Sequence, residues 1–210
     1  VKLTSLYPRV ELAKIVDLEK ILLPKLVNLV NKVKEKNLTI TFDAEESHRH
    51  DAYLLILTKL IKHPEFKNFN GINLVVQAYK TASYQTLDYI ISLAKELGKK
   101  IPVRLVKGAY WDSEIKHAQT NCVKYYPVFT RKEYTDLCYI ACAKKMIEND
   151  QFIYPQFATH NALTAASIIE IAGDKKYELQ KLYGMGNALY SELVQNQNVR
   201  IYAPVGITQD

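Results

Sequence analysis

The chain has 210 residues, of which 48% are hydrophobic and 24% are charged, a composition that is typical of a globular protein and excludes extensive disorder. The net charge of +6 is scattered, without a clustered basic stripe or a recognition motif, so nucleic-acid binding is not predicted. The longest apolar run, "YLLILTKLI" at 53–61, is interrupted by lysine and is shorter than the roughly 20 residues that span a bilayer.

The three cysteines predict free thiols rather than a disulfide framework or a zinc site. They are Cys122, Cys138 and Cys142, and no two of them have the CxxC spacing of redox and metal motifs. Cys138 and Cys142 lie four residues apart in an apolar helical pattern, where we expect buried thiols. Free thiols indicate a reducing compartment, so the sequence predicts a cytoplasmic protein.

The two histidines of "HRH" at 48–50 do not indicate a metal site. They are two residues apart on a predicted helix, where side chains do not face each other. The sequence therefore predicts no bound metal.

Short apolar segments alternate with longer helical patterns along the chain. Apolar residues recur at helical spacing in "AYLLILTKLI", and "LDYIISLAKEL" ends at Gly98, a residue typical of helix ends. Pro24 is expected to split or kink the first helix. In chain order we predict strand 1–6, helix 10–35, strand 38–43, helix 46–63, strand 72–77, helix 84–98, strand 101–106, helices 112–121 and 132–149, strand 152–157, helix 161–172, strand 179–184, helix 187–196 and strand 199–204.

This alternation predicts an α/β protein with a parallel sheet, and the number of units favours a (β/α)₈ TIM-type barrel. A doubly wound dinucleotide-binding sheet would need a glycine-rich turn after its first strand, and "VKLTSLYPRV" has none. Only seven strands are predicted, and a barrel that lacks a strand has two unpaired edges. We therefore expect residues 1–210 to form one distorted, partial barrel domain of a longer polypeptide, without its first strand and its final helix.

Polar residues recur where the predicted strands end, and in a parallel barrel these carboxyl ends form the ligand site. Taken alone, Asp43 or His160 could be a helix-cap residue, and Tyr202 could be a core aromatic. Arg104 is different, because a guanidinium between two apolar strand neighbours needs a buried partner unless it points into the barrel mouth. Together these residues predict a ligand with hydrogen-bonding and anionic parts. The polar residues are Lys2, Asp43, Gln77, Arg104, Thr159, His160 and Tyr202.

The stretch "KGAYW" at 107–111 follows the strand that carries the arginine. Gly108 and Ala109 allow the backbone to approach a ligand closely, and Tyr110 and Trp111 can offer flat faces to heteroaromatic rings. The stretch therefore predicts a ring-containing ligand at the exit of this strand.

Five segments of the chain match one protein family. The segments are "FDAEE", "VRLVKGAYWDSEIKHAQ", "YPQFATHN", "LYGMG" and "RIYAPVG". In this order they resemble the flavin-dependent proline dehydrogenase domain of the bacterial bifunctional proline utilization A flavoproteins. The similarity extends over essentially the whole chain, and motifs of this length and order are highly specific.

The resemblance implies a distorted (β/α)₈ barrel that binds FAD and oxidises L-proline to Δ1-pyrroline-5-carboxylate, the first step of proline catabolism. It implies hydride transfer to flavin N5, with electrons passed on to a quinone. It also implies an aldehyde dehydrogenase module in the parent protein and peripheral contact of that parent with the inner membrane, and it leaves an oligomeric assembly open.

The resemblance also implies individual roles. Arg104 would lie beside flavin N5 and, with Gln77, would hydrogen-bond the isoalloxazine. Lys2 would bind the proline carboxylate, and Asp43 would hold Tyr202 by a hydrogen bond. The proline pocket would be shaped by Tyr110, Leu182 and Tyr202. The remaining cofactor contacts would come from Val75, Val106, Gly108, Ala109, Tyr110, Trp111, Thr130, Thr159, His160, Asn161 and Gln180.

Two alternatives stand beside this interpretation. Relatives carry an arginine pair on a helix after "YAPVG", whereas this chain ends at "ITQD", so we expect the isolated chain to be weakly active or inactive. It could therefore be a non-catalytic partial barrel that holds no flavin and oligomerises through its strand edges. A Schiff-base aldolase-type barrel with Lys2 or Lys107 as nucleophile is the other alternative.

Overall fold

The computed structural model describes residues 1–204, in which six parallel strands form one sheet. The spatial order of the strands is their order in the chain, and the sheet curls into a half-barrel with helices packed against it. The predicted α/β, partial TIM-type fold is confirmed. The strands are β1 Ile40–Thr41, β2 Ile72–Gln77, β3 Ile101–Val106, β4 Ile153–Ala158, β5 Glu178–Leu182 and β6 Val199–Tyr202.

Helices connect the strands and cover one face of the sheet. The first predicted helix begins with a 3₁₀ turn at Leu12–Lys14 and one α-turn at Ile15–Asp17. It continues as a π-helical segment over Leu18–Leu22 and becomes regular again at Leu23, with Pro24 in the first turn of the regular part. Within residues 1–204, no helix is long and apolar enough to cross a membrane. The α-helices are α1 Ile15–Asp17, α2 Leu23–Glu35, α3 His50–Ile61, α4 Ser83–Leu97, α5 Trp111–Thr120, α6 Lys132–Glu148, α7 Ala162–Ala172 and α8 Asn187–Leu193.

The strand predicted at 1–6 is wrong. Lys2 makes one isolated parallel bridge to Asp43, and the chain then turns into a 3₁₀ helix at Leu3–Ser5. The Ser5 hydroxyl donates to the Lys2 carbonyl at 2.6 Å, and the Thr4 hydroxyl donates to the carboxylate of Glu45 at 2.5 Å. Such side-chain hydrogen bonds compete with a sheet ladder, which explains why an alternating apolar pattern does not form a strand here.

The alternation along β3 determines what faces the concave side of the sheet. Ile101, Val103 and Leu105 are fully buried in the core, whereas the intervening residues are only half-buried. Arg104 is one of these intervening residues, and it pairs in register with Gln156 of β4. Directly paired residues of neighbouring strands point to the same face, so the concave face carries polar side chains.

Three buried tyrosines of the covering helices bridge neighbouring strands near their carboxyl ends. Tyr53 of α3 donates to the Phe42 carbonyl at 2.9 Å and accepts from the Val75 amide at 2.8 Å. Tyr139 of α6 shares its hydroxyl proton between the carbonyls of Leu105 in β3 and Ala158 in β4. Tyr190 of α8 shares its proton between the carbonyls of Thr159, just after β4, and Gln180 in β5. Burial raises the pKa of each hydroxyl, so all three remain protonated donors.

The thiols agree with the sequence-based expectation in part. All three cysteines are free, with Cys142 buried, Cys138 half-buried and Cys122 exposed. The sulfur atoms of Cys138 and Cys142 lie 3.8 Å apart on one face of α6.

Tyr139→Phe is expected to lower the free energy of unfolding by about 1–2 kcal/mol, because the buried carbonyls of Leu105 and Ala158 lose their shared donor. Urea unfolding of purified variants measures this change. Tyr89→Phe is the matched control, since among residues 1–204 the exposed Tyr89 hydroxyl bonds only to Thr58, and it should change stability by less than about 0.5 kcal/mol. Equal effects of the two substitutions would contradict a bridging role for Tyr139.

His50 gives the fold a dependence on pH. Its Nε2 atom lies 3.0 Å from the Thr86 hydroxyl, and burial, assisted by the cation of Lys80, lowers the pKa of His50 to about 4. Between pH 6.5 and 4 the unfolded chain therefore binds this proton while the folded chain does not, so acidification over this range destabilises the fold.

We expect His50→Gln to remove that part of the acid sensitivity. The difference in unfolding free energy between the parent chain and the variant should change by about 1–3 kcal/mol between pH 6.5 and 4. Denaturant unfolding at stepped pH measures it, and parallel pH profiles of the two proteins would show that His50 is not responsible.

Candidate functional site

A cavity of about 700 Å³ opens at the carboxyl ends of the strands, where the sequence predicts a site. A second cavity of about 410 Å³ adjoins it, and the two share the wall formed by Arg104, Asp43 and His160. These volumes are in the range of small-molecule sites. Predicted site residues in the first wall are Lys2, Asp43, Val75, Gln77, Arg104, Val106, Gly108, Ala109, Tyr110, Thr159, His160, Asn161 and Leu182, and the second wall adds Gln180 and Tyr202.

The partner that Arg104 requires is Asp43, which lies just after β1. The two side chains form an ion pair and hydrogen bond across the intervening strand β2. The guanidinium carbon also lies 5.4 Å from the ring centre of Tyr202. Within residues 1–204, Asp43 is therefore bound by Arg104 and not by Tyr202, so the hydrogen bond expected between Asp43 and Tyr202 is wrong. The cation lies between the two groups instead.

Burial lowers the pKa of Arg104, and the contact with Tyr202 opposes that change. The ordinary pKa of arginine is so high that the side chain stays cationic at neutral pH. Its Nε atom is buried and has no partner within the described part of the chain. A charged donor is thus available at the boundary of the two cavities.

Two glutamines complement this donor with acceptors. The side-chain nitrogen of Gln77 donates to the Ala44 carbonyl at 3.2 Å, and that of Gln180 donates to Glu178 at 2.6 Å. Both amide oxygens are buried and lack a partner among residues 1–204. Buried polar atoms are normally satisfied, so these orphaned atoms indicate a polar ligand.

Gly108 brings the backbone close to the site. Its φ angle is +135°, and a Cβ atom there would lie 2.4 Å from the ring of Tyr79. No other residue type is accommodated at this position without movement of that ring. The following residues, Ala109 and Tyr110, line the cavity and lead into α5.

Lys2 supplies a second cation. Its Nζ atom lies 5.5 Å from the ring centre of Tyr110, and hydrogen bonding to Tyr110 raises the pKa of Lys2. Lys107 forms an ion pair of 2.5 Å with Asp136. A Schiff-base nucleophile needs a neutral amine, and neither environment favours one, so the aldolase alternative is disfavoured.

The loop after β4 contributes Thr159, His160 and Asn161. Because His160 Nε2 accepts from the Leu182 amide at 3.1 Å, the neutral ring carries its proton on Nδ1, which can donate to a ligand. The side chain of Asn161 accepts from the Thr164 amide at 2.9 Å and caps α7. Asn161 therefore has the helix-cap role that the sequence left open for this loop.

Two residues expected at the cofactor lie outside the walls of both cavities. Trp111 donates from its indole nitrogen to the Phe129 carbonyl at 2.8 Å and is 41% exposed, and Thr130 is exposed. Their contacts with a cofactor remain predictions. Spacing along the sequence gives no signal for five further residues of the site. Ala44, Lys132 and Ala158 line the first cavity, and Glu178 and Tyr190 hydrogen-bond to Gln180.

The fold and the site define a ligand-binding α/β partial barrel with two cations and several buried hydrogen-bonding groups at the carboxyl ends of its strands. The model of the proline dehydrogenase family matches residues 1–210, and the chain belongs to that family. The resemblance carried by the five sequence segments is thereby confirmed.

Relatives and solved structures agree with this assignment. The chain is 45% identical over 217 residues to the bifunctional protein PutA of Escherichia coli K12, and 44% identical over 214 residues to that of Rhizobium meliloti. These matches cover 98% of this chain but only 16% and 17% of the relatives. A crystal structure of mutant proline utilization A from Bradyrhizobium japonicum has 44% identity and a TM-score of 0.95, covering 98% of this chain and 22% of that one.

Gly108→Ala is expected to destabilise the chain by about 2–3 kcal/mol or more, because it combines an unfavourable φ angle with overlap of the Tyr79 ring. Urea unfolding measures the loss. Gly98→Ala is the matched control: it also has a positive φ angle, +59°, but among residues 1–204 no atom beyond its chain neighbours and the adjoining helix backbone lies within 4 Å of the new methyl group. That control should lose about 1 kcal/mol. If the two variants were equally stable, close approach at Gly108 would not be required.

Proposed function

We propose that this chain forms the substrate and cofactor site of a proline dehydrogenase, which binds FAD and oxidises L-proline to Δ1-pyrroline-5-carboxylate. The observation that carries the proposal is the set of buried polar atoms on Arg104, Gln77 and Gln180 at two adjoining cavities, each without a hydrogen-bond partner in the described part of the chain. The chain belongs to the proline dehydrogenase family, so a site for the substrate and cofactor of that family explains these atoms most simply.

The residues present fit a flavin. An isoalloxazine ring has both hydrogen-bond donors and acceptors along one edge, and Gln77, Gln180 and Arg104 offer the complementary groups. The glycine at position 108 lets backbone approach a flat ring, and Tyr110 provides an aromatic wall. The imidazole of His160, with its proton on Nδ1, adds a donor for a ribityl or phosphate oxygen.

When bound, FAD supplies the hydride acceptor for the reaction. The proline ring loses a hydride from the carbon next to nitrogen and a proton from the nitrogen, so that the C–N bond becomes C=N. Arg104 is cationic and half-buried on the concave face, where it would stabilise negative charge on a bound flavin. Asp43 keeps this guanidinium in place by its ion pair.

Proline is held by residues close to the isolated bridge between Lys2 and Asp43. The ammonium of Lys2, whose pKa is raised, pairs with the substrate carboxylate. Tyr110 and Leu182 lie in the same wall as Lys2, and Tyr202 lies against Arg104, so these side chains delimit a pocket of small size beside the cofactor.

The wider role of the parent protein belongs to the proposal as well. The relatives are named as bifunctional proteins and as proline utilization proteins, which supports a role in proline catabolism and a second module, proposed to be an aldehyde dehydrogenase. A quinone acceptor and contact with the inner membrane are proposed from the same family argument, and a cytoplasmic location is proposed from the free thiols.

The proposal is tested on the full-length natural protein that carries this sequence. The protein is incubated with FAD, desalted, and its visible spectrum is recorded before and after anaerobic addition of L-proline. We expect a retained flavin band that bleaches with proline. Absence of a retained band would contradict the cofactor assignment and support a non-catalytic partial barrel, and a retained band that proline leaves unchanged would contradict the assigned reaction.

Arg104→Met in the same protein should slow proline-dependent flavin reduction by about 10²–10³-fold, because a preorganised charge at the reacting ring is lost. Stopped-flow absorbance under anaerobic conditions measures the rate. Arg131→Met removes an exposed arginine that forms a surface ion pair of 3.6 Å with Glu133, and this control should reduce flavin at the parent rate. A reduction rate in Arg104→Met within threefold of the control would show that Arg104 does not act on the flavin.

A further inference from the structure

Beneath the second cavity lies a buried carboxylate to which the proposed reaction assigns no role. Glu178 is the first residue of β5 and is 1% exposed. The guanidinium of Arg200 on β6 donates to it twice, from Nε at 2.8 Å and from Nη2 at 3.0 Å. Such a two-point pair fixes the orientation of the Glu178 carboxylate.

The third donor to Glu178 is the amide nitrogen of Gln180, at 2.6 Å. The two residues are neighbours on one face of β5, because side chains two positions apart in a strand point the same way. Gln180 and Arg200 also pair directly in register between β5 and β6. The strand geometry therefore brings the three side chains together beside the cavity.

This arrangement determines which end of the Gln180 amide is free. Both Glu178 oxygens accept hydrogen bonds from Arg200, and one of them also accepts from Gln180, so the amide turns its nitrogen toward Glu178 and its oxygen away from it. Gln180 is 2% exposed, lines the second cavity together with Arg104 and His160, and its oxygen has no partner among residues 1–204. Without the carboxylate, the amide could rotate and present either end.

We propose that Glu178 is a positioning residue that locks Gln180 with its oxygen toward the bound cofactor, so that Gln180 accepts a hydrogen bond from an N–H or O–H group of FAD. This inference rests on the proposed function. Arg200 on β6 holds the carboxylate in place, and Gln180 makes the contact with the cofactor. The site thereby selects a ligand that offers a donor at this point and disfavours one that offers only acceptors.

The test measures FAD affinity by quenching of flavin fluorescence in the full-length protein, together with the position of the visible flavin band. Glu178→Gln and Gln180→Leu should each weaken FAD binding by about 3- to 10-fold, as expected for one hydrogen bond. In the double variant, the loss should equal that of Gln180→Leu alone, because Glu178 acts only through Gln180. Glu178→Gln should also shift the flavin band toward that of the Gln180→Leu protein.

Glu65→Gln is the matched control, since Glu65 accepts from the side-chain amide of Asn31 at 2.6 Å on an exposed surface. It makes the same chemical change away from the site and should leave FAD affinity unchanged. Arg200 is 48% exposed and can turn to solvent, so Glu178→Gln is expected to fold. If Glu178→Gln fails to fold, Glu178→Asp is used instead, because the shorter side chain keeps the carboxylate but moves it away from the Gln180 amide. Glu178→Asp should weaken FAD binding only when Gln180 is present.

The outcomes separate this inference from the proposed function. An unmodified protein that does not bind FAD would refute the function itself. An unmodified protein that binds FAD, with losses from the two substitutions that simply add in the double variant, would overturn the positioning role. Unchanged affinity and spectrum in Glu178→Gln would overturn it as well.

Discussion

A guanidinium on the concave face of a parallel sheet needs a negative partner, because a buried charge that loses its partner costs several kcal/mol. Arg104 occupies this position in β3, and Asp43 meets it from the loop after β1, across the whole width of β2. Lys80 also holds this loop, because its ammonium donates to the Glu45 carbonyl at 2.9 Å. The ion pair thus links two strands that are not neighbours, and the other polar groups of the site are arranged around it.

The rest of the site depends on how firmly the ends of the strands are held. Tyr53, Tyr139 and Tyr190 come from three different helices, and each hydroxyl satisfies backbone groups of two neighbouring strands near their carboxyl ends. Strands diverge there into loops, so their backbone groups would otherwise lack partners. The covering helices therefore hold the positions from which Arg104 and Gln180 project, and a site held in this way loses little entropy when a ligand binds.

Sequence patterns predicted much of this fold because the spacing of apolar residues, and the residues that end helices and strands, are local properties of the sequence. The bounds of β2 and β3 agree with the predicted segments at 72–77 and 101–106. The polar residues at the predicted carboxyl ends of the strands also indicated the face on which the cavities lie. The strand at 1–6 was wrong because hydrogen bonds of Thr4 and Ser5 replaced the ladder. The tyrosine bridges and the contact between Glu178 and Gln180 could not be predicted, since they depend on which strands and helices are neighbours in space.

The measurement that tests the central claim most directly is a crystal structure of the full-length protein with FAD bound. We expect the isoalloxazine at the boundary of the two cavities, within hydrogen-bond distance of Arg104 Nε and of the amide oxygen of Gln77, with the ion pair between Arg104 and Asp43 intact. A flavin bound elsewhere, or one that leaves these two atoms without a partner, would contradict the assignment of this site.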